Sequence, residues 1–296
     1  MAEIIENRWL RRVIWVAKGF QKSLLRMMTN ESYISGDHFA KICDLQITHS
    51  KLSNKNTKMK VFASNSIFIE GHLLIEFVNL FGKYLTGKTI VSGNSDANFS
   101  SEPHFPTEIR AFYCQNLSTN TDSRSKTIPI GIENIKHARS GFKRLHKPIE
   151  KFEIISKVLL PPMSPTNQVR KDISDLAKNN KKIFDIETEF RSKHEYFRLV
   201  RKYRFIFVCE GNGYDTHRLW EVLYQNSYPV ILETSWANSL KWLNLPILFV
   251  PNLRSIDQEL LSKHDAMFSQ KKPIDYPQLW MPFWQELIKS KTRSGN

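Results

Sequence analysis

The chain is poor in cysteine: Cys43, Cys114 and Cys209 are the only three in 296 residues. An odd number cannot all pair, and their spacing matches no metal-ligand pattern, so neither a disulfide framework nor a cysteine-based zinc site is expected. Each lies in or beside an apolar run, which predicts buried thiols in a reducing compartment. No apolar stretch reaches the ~18 residues that read as a membrane span. The N-terminal region has no signal-peptide pattern, because Arg8, Arg11, Arg12 and Lys18 interrupt its apolar residues. The sequon at Asn116 therefore carries no expectation of glycosylation. Repeats and long low-complexity tracts are also missing. Acidic residues are in short supply, 29 against 43 basic ones, and the net charge is +14. That balance suits an anionic partner, whether nucleotide donor, acidic glycan, anionic membrane surface or nucleic acid.

What is present argues for a folded globule. Hydrophobic residues make up 41% of the chain and seven tryptophans occur, too many for a disordered polymer. The length allows one large domain or two of about 130 to 150 residues. Strand, helix and strand patterns recur, so the expected class is α/β with parallel sheets.

The stretch at residues 203–232, YRFIFVCEGNGYDTHRLWEVLYQNSYPVIL, organises the rest. Phe205 to Val208 form an apolar β run. Gly211-Asn212-Gly213 breaks it, and glycine lets a ligand approach the backbone. Asp215 or Thr216 can cap a helix running to about Asn226. Pro229 to Leu232 begin the next buried strand. A helix N-terminus after a glycine-rich turn presents free N–H groups and a positive dipole, which suits an anion. Arg218 lies in the first turn, and an arginine can clamp a diphosphate bidentately. Glu221 follows on the same helix face, where a carboxylate can accept from ribose hydroxyls. The same residues also read as an ordinary turn followed by a surface ion pair.

The segment CEGNGYDTHRLWEVLYQNSYPVI closely resembles the exostosin-like glycosyltransferase pattern: a Gly-x-Gly turn, an Asp, an Arg, a Trp-Glu and a Pro-Val strand. SGNSDANF with FYCQNLSTNTDSRSKTIPIGIEN, and further on LNLPILFVPN, are more loosely similar to flanking parts of bacterial members. The resemblance spans residues 90–252, about half of the chain. It departs at Glu210, where members often carry Pro or a small residue, and at Asn226-Ser227, where many carry Gly. It implies a GT-B fold: two Rossmann-like domains, with a C-terminal helix crossing back onto the first. The expected division is residues 1–150 for the acceptor side and 151–296 for the nucleotide-sugar side.

Elsewhere, residues 7–28 read as a basic amphipathic helix that either lies on an anionic bilayer or packs on the domain. Residues 42–48 suggest a short strand, 51–60 a basic surface loop and 61–64 a strand. Residues 69–85 suggest a helix, and 89–92, 110–114 and 126–132 further strands. Asp96 follows a strand end and serves either as a general base for an acceptor hydroxyl or as a turn cap. His104 is a weaker candidate base. Asn116, Glu133 and Asn134 fall near the cleft by the resemblance. Residues 138–153 read as a linker, 157–160 as a strand, and 166–178 as a helix. Arg170, early in that helix, is either a second phosphate contact or a solvated side chain. Residues 184–202 read as mostly helical. Asp185, Glu187 and Glu189 superficially suggest a metal motif but equally an acidic helix start. Residues 233–238 read as a loop, 246–250 as a strand and 255–268 as a helix. Residues 276–290 read as an aromatic-rich terminal helix with a kink at Pro282.

The expectation is a metal-independent glycosyltransferase that needs no cofactor and takes a nucleotide sugar as substrate. Gly211, Asn212, Gly213, Asp215, Arg218, Glu221 and Arg170 would bind the donor, with Arg218 and Asp96 catalytic. The acceptor would be a glycan or a lipid-linked sugar in cell-surface polysaccharide synthesis. The setting would be cytoplasmic, peripheral at the inner face of a membrane. Inversion at the anomeric carbon is implied by the resemblance alone. One rival reading is a basic nucleic-acid-binding α/β protein without enzymatic activity, although no helix-turn-helix, zinc finger or RNA-recognition motif is found. Another is a degenerate transferase that binds nucleotide without turnover.

Overall fold

Ile67, Phe68 and Ile69 are all fully buried, so this run is covered on both faces, as a strand inside a parallel sheet must be. The computed structural model describes residues 32–54, 56–118, 124–134, 153–164, 168–189 and 191–293. The run belongs to β2 (Ser66–Glu70), flanked by β1 (Leu45–Ile47) and β3 (Thr89–Gly93). With β4 (Ala111–Cys114) and β5 (Ser125–Thr127) they form a five-stranded sheet in the order β1-β2-β3-β4-β5, parallel throughout. Short helices α1 (Gly36–Ile42), α2 (His49–Leu52) and α3 (Thr57–Ala63) precede β2, and α4 (Leu74–Phe81) follows it. In α4, Leu74, Phe77, Val78 and Phe81 are the buried residues. Their spacing is that of one helical stripe. They pack with Ile67, Ile69, Ile90 and Phe112 on one face of the sheet.

The second sheet is also five-stranded and parallel. It contains β6 (Ile155–Leu160), β7 (Phe184–Ile186), β8 (Tyr203–Phe207), β9 (Tyr228–Leu232) and β10 (Leu248–Val250), in the order β10-β9-β8-β6-β7. Helices α5 (Gln168–Lys178), α6 (Lys193–Val200), α7 (His217–Tyr224), α8 (Ser235–Ser239) and α9 (Gln258–Phe268) connect or follow these strands. Ile173, Ala177, Leu261 and Phe268 cover the face that carries Val158, Phe205, Phe207 and Val230. The opposite face, with Leu159, Ile206 and Ile231, meets Phe197, Val200, Leu219 and Leu223. Helices thus lie on both faces, as in doubly wound sheets.

A single apolar cluster joins the two sheets. It runs from Phe68, Val91 and Tyr113 of the first to Leu159 and Ile206 of the second. The terminal helix α10 (Met281–Arg293) contributes Trp284 and Ile288 to it and packs on β2 and β3. Trp284 meets Phe39 edge-on at 5.6 Å. The Tyr224 hydroxyl donates to the Leu279 carbonyl at 2.6 Å and accepts from the Ile34 N–H at 3.1 Å. Ser239 Oγ lies 2.7 Å from Thr127 Oγ1 and donates to the Leu117 carbonyl at 2.8 Å. Among the described residues, no helix is long and apolar enough to cross a membrane.

Several local expectations are corrected. Residues 61–64 are not a strand: Val61 is a buried residue of α3 while Phe62 is 75% exposed, so the apolar run is one turn of a helix. The stretch at 51–60 contributes to α2 and α3 rather than to a loop alone. The helix expected at 69–85 starts only at Leu74, because Ile67 to Ile69 pair with Ile90 to Ser92. Of the strand expected at 126–132, Lys126 and Thr127 lie in β5, and Gly131 makes only an isolated antiparallel bridge to Ser35. In the stretch expected to be helical, Phe184–Ile186 is the edge strand β7, and α6 starts after a capping box formed by Ser192 and Glu195. The loop at 233–238 contains α8, whose N-terminus is capped by the Thr234 hydroxyl. Pro282 makes no kink, since α10 begins at Met281 and a first-turn proline loses no helical hydrogen bond. The basic helix at 7–28 and nearly all of the linker at 138–153 lie outside the described residues.

Candidate functional site

The order of the second sheet defines a switch point. From β6 the chain moves outward to β7, then crosses back to place β8 on the other side of β6. In open α/β sheets the crevice beyond the strand ends at such a point receives ligands. Here it lies between Pro161–Ser164 after β6 and Val208–Thr216 after β8.

Two arginines cross this crevice in opposite directions. Arg170, on the helix after β6, donates from Nε to the Glu210 carbonyl at 2.9 Å and from Nη1 to the Ser164 carbonyl at 3.0 Å. Arg218, on the helix after β8, donates from Nη2 to the Pro162 carbonyl at 2.8 Å. Arg170 thus bridges the loops after β6 and β8, and Arg218 reaches from the helix after β8 to the loop after β6. The Gly211 N–H donates to the Gly213 carbonyl at 3.0 Å and closes the turn. A Cβ on Gly211 would come within 3.3 Å of Arg170 Nη2, so glycine keeps the guanidinium close to the backbone.

Beside Arg218 opens a cavity of about 560 Å³, lined by residues that include Pro162, Glu187, Lys193, Tyr196 and Glu221. Glu221 is 2% exposed. Both of its oxygens accept from Lys193 Nζ, at 2.9 and 3.2 Å. The Arg218 guanidinium lies 5.9 Å from the centre of the Tyr196 ring. Burial raises the pKa of the Tyr196 hydroxyl, which stays protonated as a donor. Glu187 accepts from Arg191 at 2.7 and 3.0 Å, and that contact lowers the pKa of its carboxyl.

The first sheet supplies the facing wall. Asn98 Oδ1 accepts from the Tyr214 N–H at 3.0 Å, and Asn98 Nδ2 donates to the Asn212 carbonyl at 3.5 Å. Asn116, held at φ +55°, accepts from the Asp215 N–H at 2.7 Å and donates to the Ser95 carbonyl at 3.2 Å. Gly213 packs on that amide, where an added Cβ would lie 2.8 Å from Asn116 Nδ2. Asp96 is exposed two residues before Asn98, on the loop that touches the glycine turn.

Arg170, Gly211, Arg218 and Glu221 therefore gather around the crevice, with Asn212 and Gly213 in the turn between the walls. Asp215 faces elsewhere. Its carboxylate accepts from the Ile130 N–H at 2.7 Å and from Trp220 Nε1 at 2.9 Å. It does not cap α7, and Thr216, at the cap position, makes no side-chain cap bond either. His104 lines a separate open cleft with Glu102, Glu108 and Arg124. Among the described residues no cluster of three or more His, Cys, Asp or Glu is arranged to hold a metal. Asp185 is tied instead to Lys157 and Tyr203. Cys114 and Cys209 are buried, Cys43 is partly buried, and all three are free thiols.

Sequence reasoning missed Asn98, Lys193 and the pinning role of Asn116. The one available signal was the asparagine at a strand end, a residue type that tolerates the left-handed conformation. No family model matches this chain, and no curated protein matches it.

Proposed function

We propose that the chain is a glycosyltransferase that uses a nucleotide-diphosphate sugar, with its two sheets in a GT-B relation. The observation that carries this reading is the exchange of Arg170 and Arg218 across the switch point between β6 and β8. Two guanidinium groups at the carboxyl ends of parallel strands suit a diphosphate better than any neutral ligand. The cavity beside Arg218 suits the nucleoside, with Glu221 and Lys193 for ribose hydroxyls and Tyr196 for a planar face.

In the transfer, the bond from the anomeric carbon to the leaving phosphate oxygen breaks and a bond to the acceptor oxygen forms. The acceptor's proton passes to Asp96, and the charge developing on the leaving diphosphate is met by Arg218 and Arg170. The acceptor, a glycan or lipid-linked sugar, enters from the first sheet. A cytoplasmic setting, peripheral at a membrane, belongs to the same proposal.

A thermal-shift screen with UDP, GDP, ADP and CDP tests this directly. A ligand at 100 times its dissociation constant adds about 2.7 kcal/mol of stability. One base should stabilise the protein, and Arg218→Ala should weaken that binding about 10- to 100-fold, the scale of a lost charge-assisted contact. The fold should survive, since Arg218 makes one carbonyl bond and one distant ring contact. Unchanged affinity in the folded variant refutes the site. Silence from every nucleotide, with steeply salt-dependent DNA or RNA binding, would favour the nucleic-acid reading instead.

A further inference from the structure

The first sheet carries an exposed apolar pair on α3, far from the arginine crevice. Of the seven residues of this helix, Thr57 and Val61 are the buried ones. Met59 is 71% exposed and Phe62 is 75% exposed. Three residues apart, they stand side by side on one helix face. The fold does not use them. Val61 anchors α3 in the core, and the Thr57 hydroxyl donates to the Lys51 carbonyl. Lys88 Nζ donates to the Phe62 and Ser64 carbonyls at 3.0 and 2.6 Å and holds the last turn. Single exposed apolar residues are ordinary, but an adjacent pair rimmed by charge marks an interaction surface.

The rim is of one sign. Lys58 and Lys60 are exposed on α3 itself. The ammonium groups of Lys58 and Lys83 both lie over the Tyr84 ring, 5.1 and 5.3 Å from its centre, so two like charges share one aromatic face. Among the described residues, none of these three lysines is ion-paired with a carboxylate. Between Asp44 and Glu70 the chain has four lysines and no acidic residue.

We propose that this face docks on an anionic lipid bilayer. Met59 and Phe62 enter the boundary between headgroups and acyl chains, and the lysines around them meet lipid phosphates. The apolar pair favours a bilayer over a nucleic acid, which lysines alone would serve. Charge also opposes cover by residues 7–28, a stretch with six basic residues and no acidic one. Lys88, which holds the Phe62 carbonyl, immediately precedes β3. The face therefore lies at the amino ends of the first sheet, opposite the loops after β3 and β4 that touch the glycine turn, and docking there leaves the crevice open. The proposal gives the peripheral setting a surface and requires no transferase activity.

Co-sedimentation of the full chain with vesicles tests it, using phosphatidylcholine alone or mixed with about a third phosphatidylglycerol. The protein should partition onto the anionic vesicles and not the neutral ones, and more weakly as salt rises. Met59→Ser with Phe62→Ser should lower the partition coefficient about tenfold or more. Lys58→Gln with Lys60→Gln should lower it about tenfold, at up to about fivefold for each lysine. Met267→Ser with Lys263→Gln, an exposed apolar and basic pair on α9, should change it little. Circular dichroism checks the folding of each variant. Partitioning unchanged in both folded α3 variants, or lost equally in the α9 variant, would overturn the proposal. Absence of partitioning overturns it too. In that case a dimer lost in Met59→Ser with Phe62→Ser makes the face a contact between copies, and nucleic-acid binding lost only in the lysine variant gives it to DNA or RNA. A nucleotide-induced thermal shift without vesicle binding sinks the docking face and leaves the transferase reading standing. Vesicle binding lost in the α3 variants, without any nucleotide shift, does the reverse.

Discussion

Asp215 offers a sharp test of how the two sheets are joined. It is 4% exposed, yet it links Ile130 of the first half to Trp220 of the second. Burial pushes its carboxyl pKa from 3.8 up to about 7, while the bonds from Ile130, Trp220 and Thr216 pull it partly back. At about 1.4 kcal/mol for each pH unit between those values, the group is roughly 4 kcal/mol harder to ionise in the fold than in the unfolded chain. The sign follows from proton counting. Between about pH 4 and pH 7 the folded protein holds a proton that the unfolded chain has released, so this group makes stability fall as pH rises. Below that window both states are protonated. Above it both are ionised and the full cost is present.

Asp215→Asn removes the titration and keeps an acceptor oxygen for the Ile130 N–H. Its amide nitrogen faces Trp220 Nε1, a donor against a donor, which costs about 1–2 kcal/mol. Urea unfolding of both proteins at pH 4, 5, 6, 7 and 8 should therefore show the variant weaker only at the acid end, near pH 4. Its deficit should close by about pH 5, and the difference should move a further roughly 2–3 kcal/mol in the variant's favour by pH 8. The histidines and other carboxylates are common to both proteins and cancel in the difference. A deficit that is constant, or that grows with pH, refutes burial as the dominant influence on Asp215.

Two further substitutions probe the frame of the site. In Gly213→Ala the new Cβ meets Asn116 Nδ2 at 2.8 Å, so the amide must move and loosen its bond from the Asp215 N–H. The expected loss is about 1–3 kcal/mol in thermal unfolding, and an unchanged midpoint refutes the packing. Trp284→Ala empties a fully buried site between Phe39 and Trp242. It should cost about 3–5 kcal/mol in urea titration, and a loss below about 1 kcal/mol would mean that α10 does not hold the first sheet.

The interior strands were legible because their apolar runs serve both faces at once. Phe205 to Phe207, Ile90 to Ser92 and Val158 to Leu160 are buried without alternation, which is the pattern of a parallel interior. The edge strand β7 was not legible. Phe184-Asp185-Ile186 has no such run, and its strand character comes from pairing with Val158, Leu159 and Leu160. The same weakness hid α3, where the run at Val61 and Phe62 is too short for periodicity to separate helix from strand. At α8, Thr234 is an N-cap residue of a favoured type. The five-residue helix behind it has no apolar stripe long enough to announce itself.

The site divides along the same line. Arg218 and Gly211 could be read because a turn followed by a helix is a local pattern. The partner that gives Arg170 its meaning is the Glu210 carbonyl, 40 residues away. That contact exists only because β8 lies beside β6 rather than beyond β7, and no local pattern encodes strand order. Asn98 and Asn116 reach the glycine turn across 116 and 99 residues for the same kind of reason. One apolar cluster presses the two sheets together through α10 and α7. The first sheet's loops are thereby carried onto the turn that the second sheet's switch point exposes. Asp215 then ties one wall of the crevice to Ile130, in the segment that follows β5. A substitution that weakens this joint should therefore disturb Asn116 and Gly213 before it disturbs Arg218, whose anchor at Pro162 lies wholly within the second sheet.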